Sequence, residues 1–337
     1  MNEKLKIGVI GCSGMAQSHM GGVAGNADAE LTAICDIDPE KLKEAAARYP
    51  DARQYTDYRE LLKSDVDAVI IVTPDQLHAE MAVASLEAGK HVLCEKPLAL
   101  TIDDCRVILD AADKSDKKFM VGQICRFTPG FVGAKKIIDE GGIGELVFVE
   151  SEYAHDYKHI YEAAAGTWRN DPLRNGVVGG GCHAIDLLRW VAGDAVEVTA
   201  YANRKILSSL PYDDNTIAIL KFPKNVIGKV FVSVSCKRPY TMRSVFYGTK
   251  GSIVTDNTSD HFDWWHEDEN GTLVQKTVPV DINNHNTAGE FHEFCRIIKE
   301  DLPVETTALE GTKTVETALA IVRSADLGGE KVVLKQG

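Results

Sequence analysis

Short apolar runs alternate with amphipathic segments through the first third of the chain, and this alternation is the strongest constraint on its fold. The runs are KIGVI, LTAICD, DAVIIVT, HVLCE and KFMVGQ, and helical patterns lie at 39–49, 76–88 and 102–115. Strands without a polar residue at every second position are buried on both faces, as in parallel sheets covered by helices. We therefore expect residues 1–124 to form a doubly wound α/β domain.

The pattern of predicted elements changes after about residue 125, where strand patterns follow one another with fewer helices between them. In the run VIGKVFVSVSC, Val230, Val232 and Val234 point to one face, and Lys229, Phe231, Ser233 and Ser235 point to the other. Such alternation is typical of an antiparallel sheet with two unlike faces. We expect residues 125–337 to form an α+β domain with an open, mostly antiparallel sheet. The helices expected to cover one face of this sheet lie at 181–192, 287–300 and 307–327.

Charge and apolar patterning exclude several kinds of partner. The 37 Lys and Arg residues against 50 Asp and Glu give a net charge of -13, so neither nucleic acid nor an anionic membrane surface is an expected partner. No apolar run is long enough to span a bilayer, and MNEKLKIGVIG lacks the pattern of a signal peptide, so the expected location is the cytoplasm. The eight cysteines stand singly without a CxxC pair, which predicts buried free thiols.

The stretch IGVIGCSGMAQSHM joins the first strand to the first helix. A dinucleotide-binding (Rossmann) turn needs a tight turn after a strand, a close backbone approach to a pyrophosphate, and a helix whose free N–H groups face the phosphates. Gly11 takes the first glycine position, Ser13 the second and Ala16 the third, with Gly14 and Met15 between them. Ser13 breaks the strict glycine pattern, but its hydroxyl can donate to a phosphate oxygen. A plain strand–helix turn is the alternative interpretation.

Asp36 ends the second strand pattern, LTAICD. A carboxylate at that point accepts hydrogen bonds from the ribose hydroxyls of adenosine and repels a 2′-phosphate. No Arg follows within DIDPEK. We therefore expect NAD as the cofactor and favour it over NADP.

Two further strand ends carry polar side chains. VTPDQLH ends one strand and opens a helix, where Asp75 is a candidate cap and His78 is a candidate structural histidine. CEKPL places Lys96 at the carboxyl end of another strand, before a proline, Pro97, that can follow a cis bond. A lysine there can hydrogen-bond a substrate hydroxyl and favour the developing alkoxide. A surface lysine at a turn is the alternative.

GGGCHAIDLLRWVAG is a glycine-rich turn followed by a helix, with His183 and Asp186 one turn apart at its start. His183 is a candidate general base near neutral pH, or else a helix-start histidine bonded to the backbone. The pair in HAID lacks the further ligands that a metal site needs, so no metal is expected.

Together these segments resemble the glucose–fructose oxidoreductase / inositol dehydrogenase family (Gfo/Idh/MocA). The resemblance covers nearly the whole chain, from GVIGCSGMAQSH through CDIDPEK, VTPDQLH, AGKHVLCEKPLA and GGGCHAIDLLRWVAG to YGTKGSI. It implies an NAD-dependent dehydrogenase that oxidises a secondary hydroxyl of a sugar, inositol or related polyol. It also implies a homodimer or homotetramer formed on the outer face of the second domain's sheet.

The resemblance also implies roles for the matching residues. Lys96 and His183 match the family's catalytic lysine and histidine. The implied cofactor-binding residues are Gly11, Ser13, Gly14, Met15, Ala16, Asp36, Ile37, Thr73, Pro74, His78, Glu95, Lys96 and Gln123. The candidate substrate-binding residues, each of which can equally be structural, are Arg126, Tyr153, His155, Trp168, Arg169, Asp186 and His285.

One position departs from the family pattern. Many dehydrogenases of this family carry an Asp four residues before the catalytic His, where this chain has Gly179. Either Lys96 and His183 suffice, or the reaction differs, or another acid substitutes. The candidate acids are Asp186, Asp171 and Asp156. Two other functions stay open: transient use of NAD during elimination or hydrolysis of a sugar, and a non-catalytic NAD-binding regulator.

Overall fold

The computed structural model describes residues 3–163 and 166–335. The chain divides into two compact units, one of residues 1–123 and 286–312 and the other of residues 124–285 and 313–337. The sequence predicted a single boundary after residue 124. The structure adds a return of the chain, because residues 286–312 pack with the first unit. The second unit is therefore not one continuous segment.

The secondary structure agrees with the predicted change from alternating helices and strands to a sheet-rich region. The strands are β1 (Leu5–Ile10), β2 (Ala29–Cys35), β3 (Arg53–Tyr55), β4 (Ala68–Ile71), β5 (His91–Glu95), β6 (Phe119–Gly122), β7 (Leu146–Ala154), β8 (Glu197–Asn203), β9 (Asn215–Lys221), β10 (Ile227–Ser233), β11 (Thr241–Gly248), β12 (Gly251–Asp256), β13 (His261–Glu267), β14 (Leu273–Pro279) and β15 (Val332–Val333). The α-helices are α1 (Met15–Ala24), α2 (Pro39–Arg48), α3 (Tyr58–Leu62), α4 (His78–Glu87), α5 (Ile102–Lys114), α6 (Pro129–Asp139), α7 (Lys158–Ala163), α8 (Gly176–Gly179), α9 (Cys182–Ala192), α10 (Thr287–Lys299) and α11 (Ala308–Asp326).

The first unit is built on a parallel sheet with the strand order β3-β2-β1-β4-β5-β6. The order reverses between β1 and β4, and this is the point at which doubly wound sheets bind ligands. Every residue of β4 is fully buried, as expected for a strand covered on both faces. The predicted doubly wound fold is confirmed.

Local signals set several helix ends of the first unit. Pro39 is the first residue of α2, and the Asp38 side chain accepts a hydrogen bond from Glu40 N at 3.0 Å. Gly89 follows α4 with φ +70°, a left-handed conformation that suits glycine at a helix C-terminus. Asp75 is not the cap of α4, since it lies inside a preceding 3-10 turn and is buried.

Helix α10 packs against α1 of the first unit. The two helices approach closely at Gly22, where a Cβ atom would lie 3.4 Å from the Cα of Ala288. The prediction that this helix covers the second sheet is therefore wrong. Its apolar stripe is real, but periodicity alone does not tell which sheet or helix receives it.

The second unit contains a nine-stranded sheet in the order β14-β13-β12-β11-β7-β10-β9-β8-β15. Only β7 and β10 pair in parallel among the described ladders, so the predicted open, mostly antiparallel sheet is confirmed. Helix α9 packs on β7 and β10. Ser324 of α11 accepts a hydrogen bond from Ala200 N of β8 at 2.9 Å, so α11 lies against the same sheet.

The two faces of this sheet differ as the alternation predicted, with two exceptions. Val230 and Val232 are buried, whereas Lys229 and Phe231 are partly exposed. Ser233 and Ser235 were expected on the outer face but are both buried, and the Ser233 hydroxyl donates to Asn215 Oδ1 at 2.7 Å. The exposed apolar side chains of the outer face include Tyr201, Ile217, Ile219, Ile227 and Tyr247.

All eight cysteines are free thiols, and seven of them are buried, as the sequence predicted. Within residues 3–163 and 166–335, each helix is too short or too polar to cross a bilayer.

Candidate active site

The turn after β1 brings the backbone close to the end of β4. Gly11 has φ +97°, and a Cβ atom there would lie 2.9 Å from the carbonyl carbon of Val72. Both the left-handed conformation and the lack of space require glycine. Ala16, the third position of the turn pattern, is fully buried, as close packing of helix on strand requires.

The start of α1 is open. Gly14 is the N-cap residue with φ +56°, and nothing lies within 4 Å of the position where its Cβ would be. Ser13 is exposed, and Met15 begins the helix half-buried. A glycine cap leaves the first N–H groups of the helix without a side-chain acceptor, so this end suits a pyrophosphate.

Asp36 is fixed against the same turn. Its Oδ2 accepts from Cys12 N and its Oδ1 from Asp38 N, each at 2.9 Å. Both contacts hold the carboxylate at the end of β2, where ribose hydroxyls bind in dinucleotide folds. Ile37 beside it is 85% exposed and offers an apolar surface for an adenine ring. These residues fit the adenosine half of NAD.

His78 is buried, with both ring nitrogens on backbone oxygens. Its Nδ1 lies 2.9 Å from the Pro97 carbonyl oxygen, and its Nε2 lies 3.2 Å from that of Thr73. The Lys96–Pro97 peptide is cis, as the sequence suggested. His78 therefore connects the segment after β4, which includes Pro74, to the segment that carries Lys96. This arrangement favours a positioning role over direct contact with a nucleotide.

Glu95, Lys96 and Gln123 lie at the carboxyl ends of the neighbouring strands β5 and β6. Glu95 is buried, and its Oε1 is 2.8 Å from Nε2 of His19 on α1. Burial alone would raise the pKa of Glu95, but the hydrogen bond and charge of His19, together with Lys96, lower it to about 2. Lys96 N donates to Glu95 Oε2 at 3.1 Å. Glu95 is thus a buried anion that is hydrogen-bonded to the backbone of the candidate catalytic lysine.

A second buried carboxyl group lies in the same region and was not predicted. Glu290 of α10 is fully buried, and neither of its oxygens has a hydrogen-bond partner among the described residues. Burial and the charge of Glu95 raise the pKa of Glu290 well above its usual value, although Lys96 opposes this. The sequence signal was a carboxylate within the apolar stripe that also contains Phe291 and Phe294.

The second unit gathers imidazole and phenol groups around His183. The ring centroid of Tyr153 lies 6.1 Å from that of His183 and 4.9 Å from that of His155. Tyr240 contacts His155 at 4.7 Å between centroids, and its hydroxyl lies 3.1 Å from Nε2 of His285. The predicted residues Tyr153, His155, His183 and His285 therefore form one cluster. Tyr240 joins it without having been predicted, because the loop before β11 has no periodicity to reveal it.

Burial shifts the titration of this cluster. The pKa of His155 falls to about 4, chiefly through desolvation and then through His285, so His155 is neutral at physiological pH. Its Nε2 is buried without a hydrogen-bond partner among the described residues. Desolvation raises the pKa of Tyr153 and of Tyr240 well above 10. The His155 imidazole and the two phenol groups are therefore neutral. They can donate hydrogen bonds to a polyhydroxylated ligand and accept hydrogen bonds from it.

The start of α9 fixes His183 within the cluster. Its Nδ1 lies 3.5 Å from the Cys125 sulfur, and its backbone N donates to Gly180 O at 3.2 Å. A Cβ atom on Gly180 would lie 2.6 Å from Cζ of Tyr153, so only glycine lets this ring approach. Next to the cluster is an open cavity of about 660 Å³. Its lining includes His155, Tyr157, His159, Lys237, Arg238 and Tyr240.

Arg126 and Asp186 form a buried ion pair. Two hydrogen bonds of 2.9 and 2.7 Å join the guanidinium to the carboxylate, and each side chain is 3% exposed. The pair connects α9 to the segment that follows β6. This pairing favours a structural role over the substrate contact predicted for both residues.

The place beside Gly179 is occupied by an arginine. A Cβ atom at residue 179 would lie 2.5 Å from Nη1 of Arg174 and 2.8 Å from its Cζ. The acids proposed as substitutes have other partners: Asp186 pairs with Arg126, Asp156 with Lys237 at 2.7 Å, and Asp171 accepts from Leu173 N at 2.9 Å. Their contacts favour none of them as the replacement for the missing Asp.

Trp168 and Arg169 lie close to Arg174. The Cζ atoms of Arg169 and Arg174 are 4.3 and 4.8 Å from the Trp168 ring centroid. The two predicted residues Trp168 and Arg169 therefore form a group with Arg174, which was not predicted from the sequence. Within the described parts of the chain, no set of three His, Cys, Asp or Glu side chains is arranged to hold a metal.

Comparison with known proteins identifies the family. Residues 5–123 match the family model "Oxidoreductase family, NAD-binding Rossmann fold", and residues 131–254 match the model "GFO/IDH/MocA C-terminal domain". Inositol 2-dehydrogenase of Salmonella paratyphi B is 30% identical over 98% of this chain and 96% of its own length. Levoglucosan dehydrogenase of Pseudarthrobacter phenanthrenivorans is 29% identical over 75% of this chain and 73% of its own.

A solved structure agrees with this assignment. Levoglucosan dehydrogenase in complex with NADH superposes with a TM-score of 0.88 at 26% identity, over 99% of this chain and all of the other. The open turn at Gly11–Ala16 and the fixed carboxylate of Asp36 are what an NAD-binding domain requires. The chain therefore belongs to the GFO/IDH/MocA family of oxidoreductases, and its first unit is the NAD-binding Rossmann domain of that family.

Proposed function

We propose that this protein is an NAD-dependent dehydrogenase that oxidises a secondary hydroxyl group of a sugar, inositol or related polyol. The observation that carries the proposal is the buried cluster around His183, which surrounds a candidate base with neutral imidazole and phenol groups. Such groups suit a ligand rich in hydroxyls. The inositol and levoglucosan dehydrogenases among its relatives support the same class of substrate.

The chemistry is divided between a cofactor and the chain's own side chains. Bound NAD would supply the hydride acceptor. The residues that would hold it are those of the first turn together with Asp36, Ile37, Thr73, Pro74, Glu95 and Gln123. His183 or Lys96 takes the proton of the substrate hydroxyl. The anionic Glu95 holds the backbone of Lys96 through the 3.1 Å hydrogen bond, and the charge of Lys96 helps to lower the pKa of Glu95. His78 keeps the neighbouring cis peptide in place.

Incubation with NAD and a panel of sugars and polyols, followed by NADH absorbance, tests this function. We expect Lys96→Ala and His183→Ala each to lower kcat about 10²- to 10⁴-fold, the usual contribution of a general acid or base, while NAD affinity is kept. Lys114→Ala, at the exposed end of α5, is the matched control for loss of one lysine. Full activity of both site variants would refute the assigned roles. Mass spectrometry of the products separates net oxidation from elimination or hydrolysis.

We further propose that the outer face of the second sheet forms a homodimer or homotetramer. Five large apolar side chains there are 42–62% exposed, and the rings of the paired residues Phe148 and Tyr247 lie 5.9 Å apart between centroids, tilted by 40°. Light scattering after gel filtration tests this. Ile219→Glu and Ile227→Glu are expected to give monomers, whereas Val107→Glu, an equally exposed apolar residue of α5, is expected to leave the assembly intact. A wild-type monomer would refute the proposal.

We also propose a cytoplasmic location, since eight free thiols suit a reducing compartment. Cell fractionation followed by immunodetection tests it, and recovery in an oxidising compartment would contradict it.

A further inference from the structure

Two sulfur atoms form a chain of contacts with the imidazole of His183. Nδ1 of His183 lies 3.5 Å from the Cys125 sulfur, and that sulfur lies 3.4 Å from the thioether sulfur of Met242. The three side chains are at most 4% exposed, so bulk water competes little for these contacts. The chain of contacts therefore bears directly on where the imidazole holds its proton.

The chemistry of the three groups gives this chain a direction. A thioether has no proton and can only accept a hydrogen bond, whereas a thiol can donate one and accept another. The Cys125 thiol therefore donates its single proton to Met242. In its contact with His183, the ring Nδ1–H is then the donor and the sulfur is the acceptor. The proton of the neutral imidazole is thus held on Nδ1, which leaves the lone pair on Nε2.

Both sulfur atoms are carried by segments that other contacts hold in place. Arg126, the residue after Cys125, forms the buried ion pair with Asp186, one helical turn after the candidate base on α9. Met242 lies at the start of β11, where its backbone N donates to Asn257 Oδ1 at 2.8 Å and its carbonyl oxygen accepts from Asn257 N at 3.1 Å. The sulfur chain is therefore fixed against the start of α9.

We infer that Cys125 and Met242 are positioning residues, which select the tautomer of His183 whose Nε2 can accept the proton of a substrate hydroxyl. In water a neutral imidazole favours the opposite tautomer, in which Nε2 carries the proton and cannot act as a base. Gly179 has no side chain to orient the ring, and the sulfur of Cys125 provides the acceptor for Nδ1–H. The inference rests on the proposed dehydrogenase function, for which it gives His183 its competent form.

Nuclear magnetic resonance measures the tautomer directly. The whole protein is labelled with nitrogen isotope in its histidines and studied at a pH where imidazole is neutral, and the spectrum of His183→Gln identifies the signals of His183. Protonated and unprotonated ring nitrogens differ in chemical shift, and we expect the proton on Nδ1 in the wild type. A proton on Nε2, or an even mixture of the two tautomers, would overturn the inference.

Variants of the two sulfur residues test the cause of the tautomer. Met242→Leu removes the acceptor of the thiol proton at nearly constant volume, so this proton can turn to Nδ1 and the His183 proton is expected to move to Nε2. Cys125→Ala should have the same effect, whereas the hydroxyl of Cys125→Ser can also donate and accept and should keep more of the wild-type tautomer. Cys295→Ala is the matched control, since Cys295 is 2% exposed like Cys125 but lies on α10.

Turnover connects the tautomer to activity. With NAD and the best substrate of the sugar and polyol panel, Cys125→Ala and Met242→Leu are expected to lower kcat about 10- to 100-fold, the usual cost of losing a group that orients a functional histidine. KM and NAD affinity should change little, and Cys295→Ala should keep full activity. If the alanine variant does not fold, Met242→Leu and Cys125→Ser decide the matter, because both keep the size of the side chain.

The two measurements separate this inference from the dehydrogenase proposal. A loss of kcat with an unchanged tautomer would mean that the sulfur residues only pack the site, and the inference would be refuted. If the wild type oxidises no sugar or polyol, the dehydrogenase proposal fails, and the spectra still decide the tautomer because they need neither NAD nor substrate.

Discussion

Substitution of Glu290 by Gln should stabilise the protein, and the gain should grow with pH. The wild-type carboxyl group is fully buried without a hydrogen-bond partner among the described residues, beside the anionic Glu95. Its pKa in the folded protein is therefore raised above the ordinary value of 4.5. A raised carboxyl pKa means that the unfolded chain loses its proton first, so wild-type stability falls as pH rises from 4.5 to the pKa of the buried group. A glutamine of the same shape remains neutral throughout.

The magnitude follows from proton linkage. Each pH unit in that interval costs the wild type about 1.4 kcal/mol relative to the variant. Above the pKa of the buried group the difference stays constant, and below pH 4.5 the pH-dependent part vanishes. The lowered pKa of Glu95 makes stability rise with pH in the wild type and in the variant alike. This contribution cancels from the difference in stability between the two proteins.

Urea unfolding of both proteins at several pH values between 4 and 8 measures this difference. Glu293→Gln is the control, since Glu293 lies on the same helix but is 32% exposed and pairs with Arg296 at the surface. Its difference from the wild type should be small, without a rising slope. A flat or falling difference for Glu290→Gln would show that Glu290 is ionised at neutral pH, and the reasoning would be refuted.

Three further substitutions test the two sites separately. Gly11→Ala should cost about 1–2 kcal/mol for its left-handed backbone alone, plus the clash with Val72, so NAD affinity and melting temperature should both fall; unchanged affinity would contradict the turn geometry. Gly180→Ala should push against the Tyr153 ring and cost about 1–3 kcal/mol, lowering kcat while calorimetry shows unchanged NAD affinity; a loss of NAD binding would contradict this. Asp36→Asn should raise the affinity for NADPH relative to NADH by about 10-fold in fluorescence titrations, and an unchanged ratio would remove Asp36 from cofactor choice.

Features encoded locally could be predicted from the sequence. The strand, tight turn and helix start around Gly11 lie within a few residues of one another, and Asp36 follows at the next strand end. Valines recur at every second position of the β10 sequence, and in the structure these valines are buried. In each of these cases, the residues that determine the local structure lie within one short segment of the chain.

Features that depend on distant contacts could not be predicted. The buried position of Glu290 depends on α10 meeting α1, more than 260 residues earlier in the chain, and the position of Arg174 depends on how a loop without periodicity folds over Gly179. Edge strand β14 could not be predicted, because most of its residues are exposed and leave no apolar alternation to detect.

The return of residues 286–312 to the first unit also determines when that unit can be completed during synthesis. At ribosomal rates of about 5–20 residues per second, roughly 10–40 s pass between the synthesis of residue 123 and that of residue 312. Throughout that time the face of α1 that receives α10 lacks its partner on the nascent chain. A transcript truncated before residue 286 therefore encodes a nucleotide-binding unit that lacks α10 and exposes one face of α1. We expect chaperones and proteases to recognise such a chain.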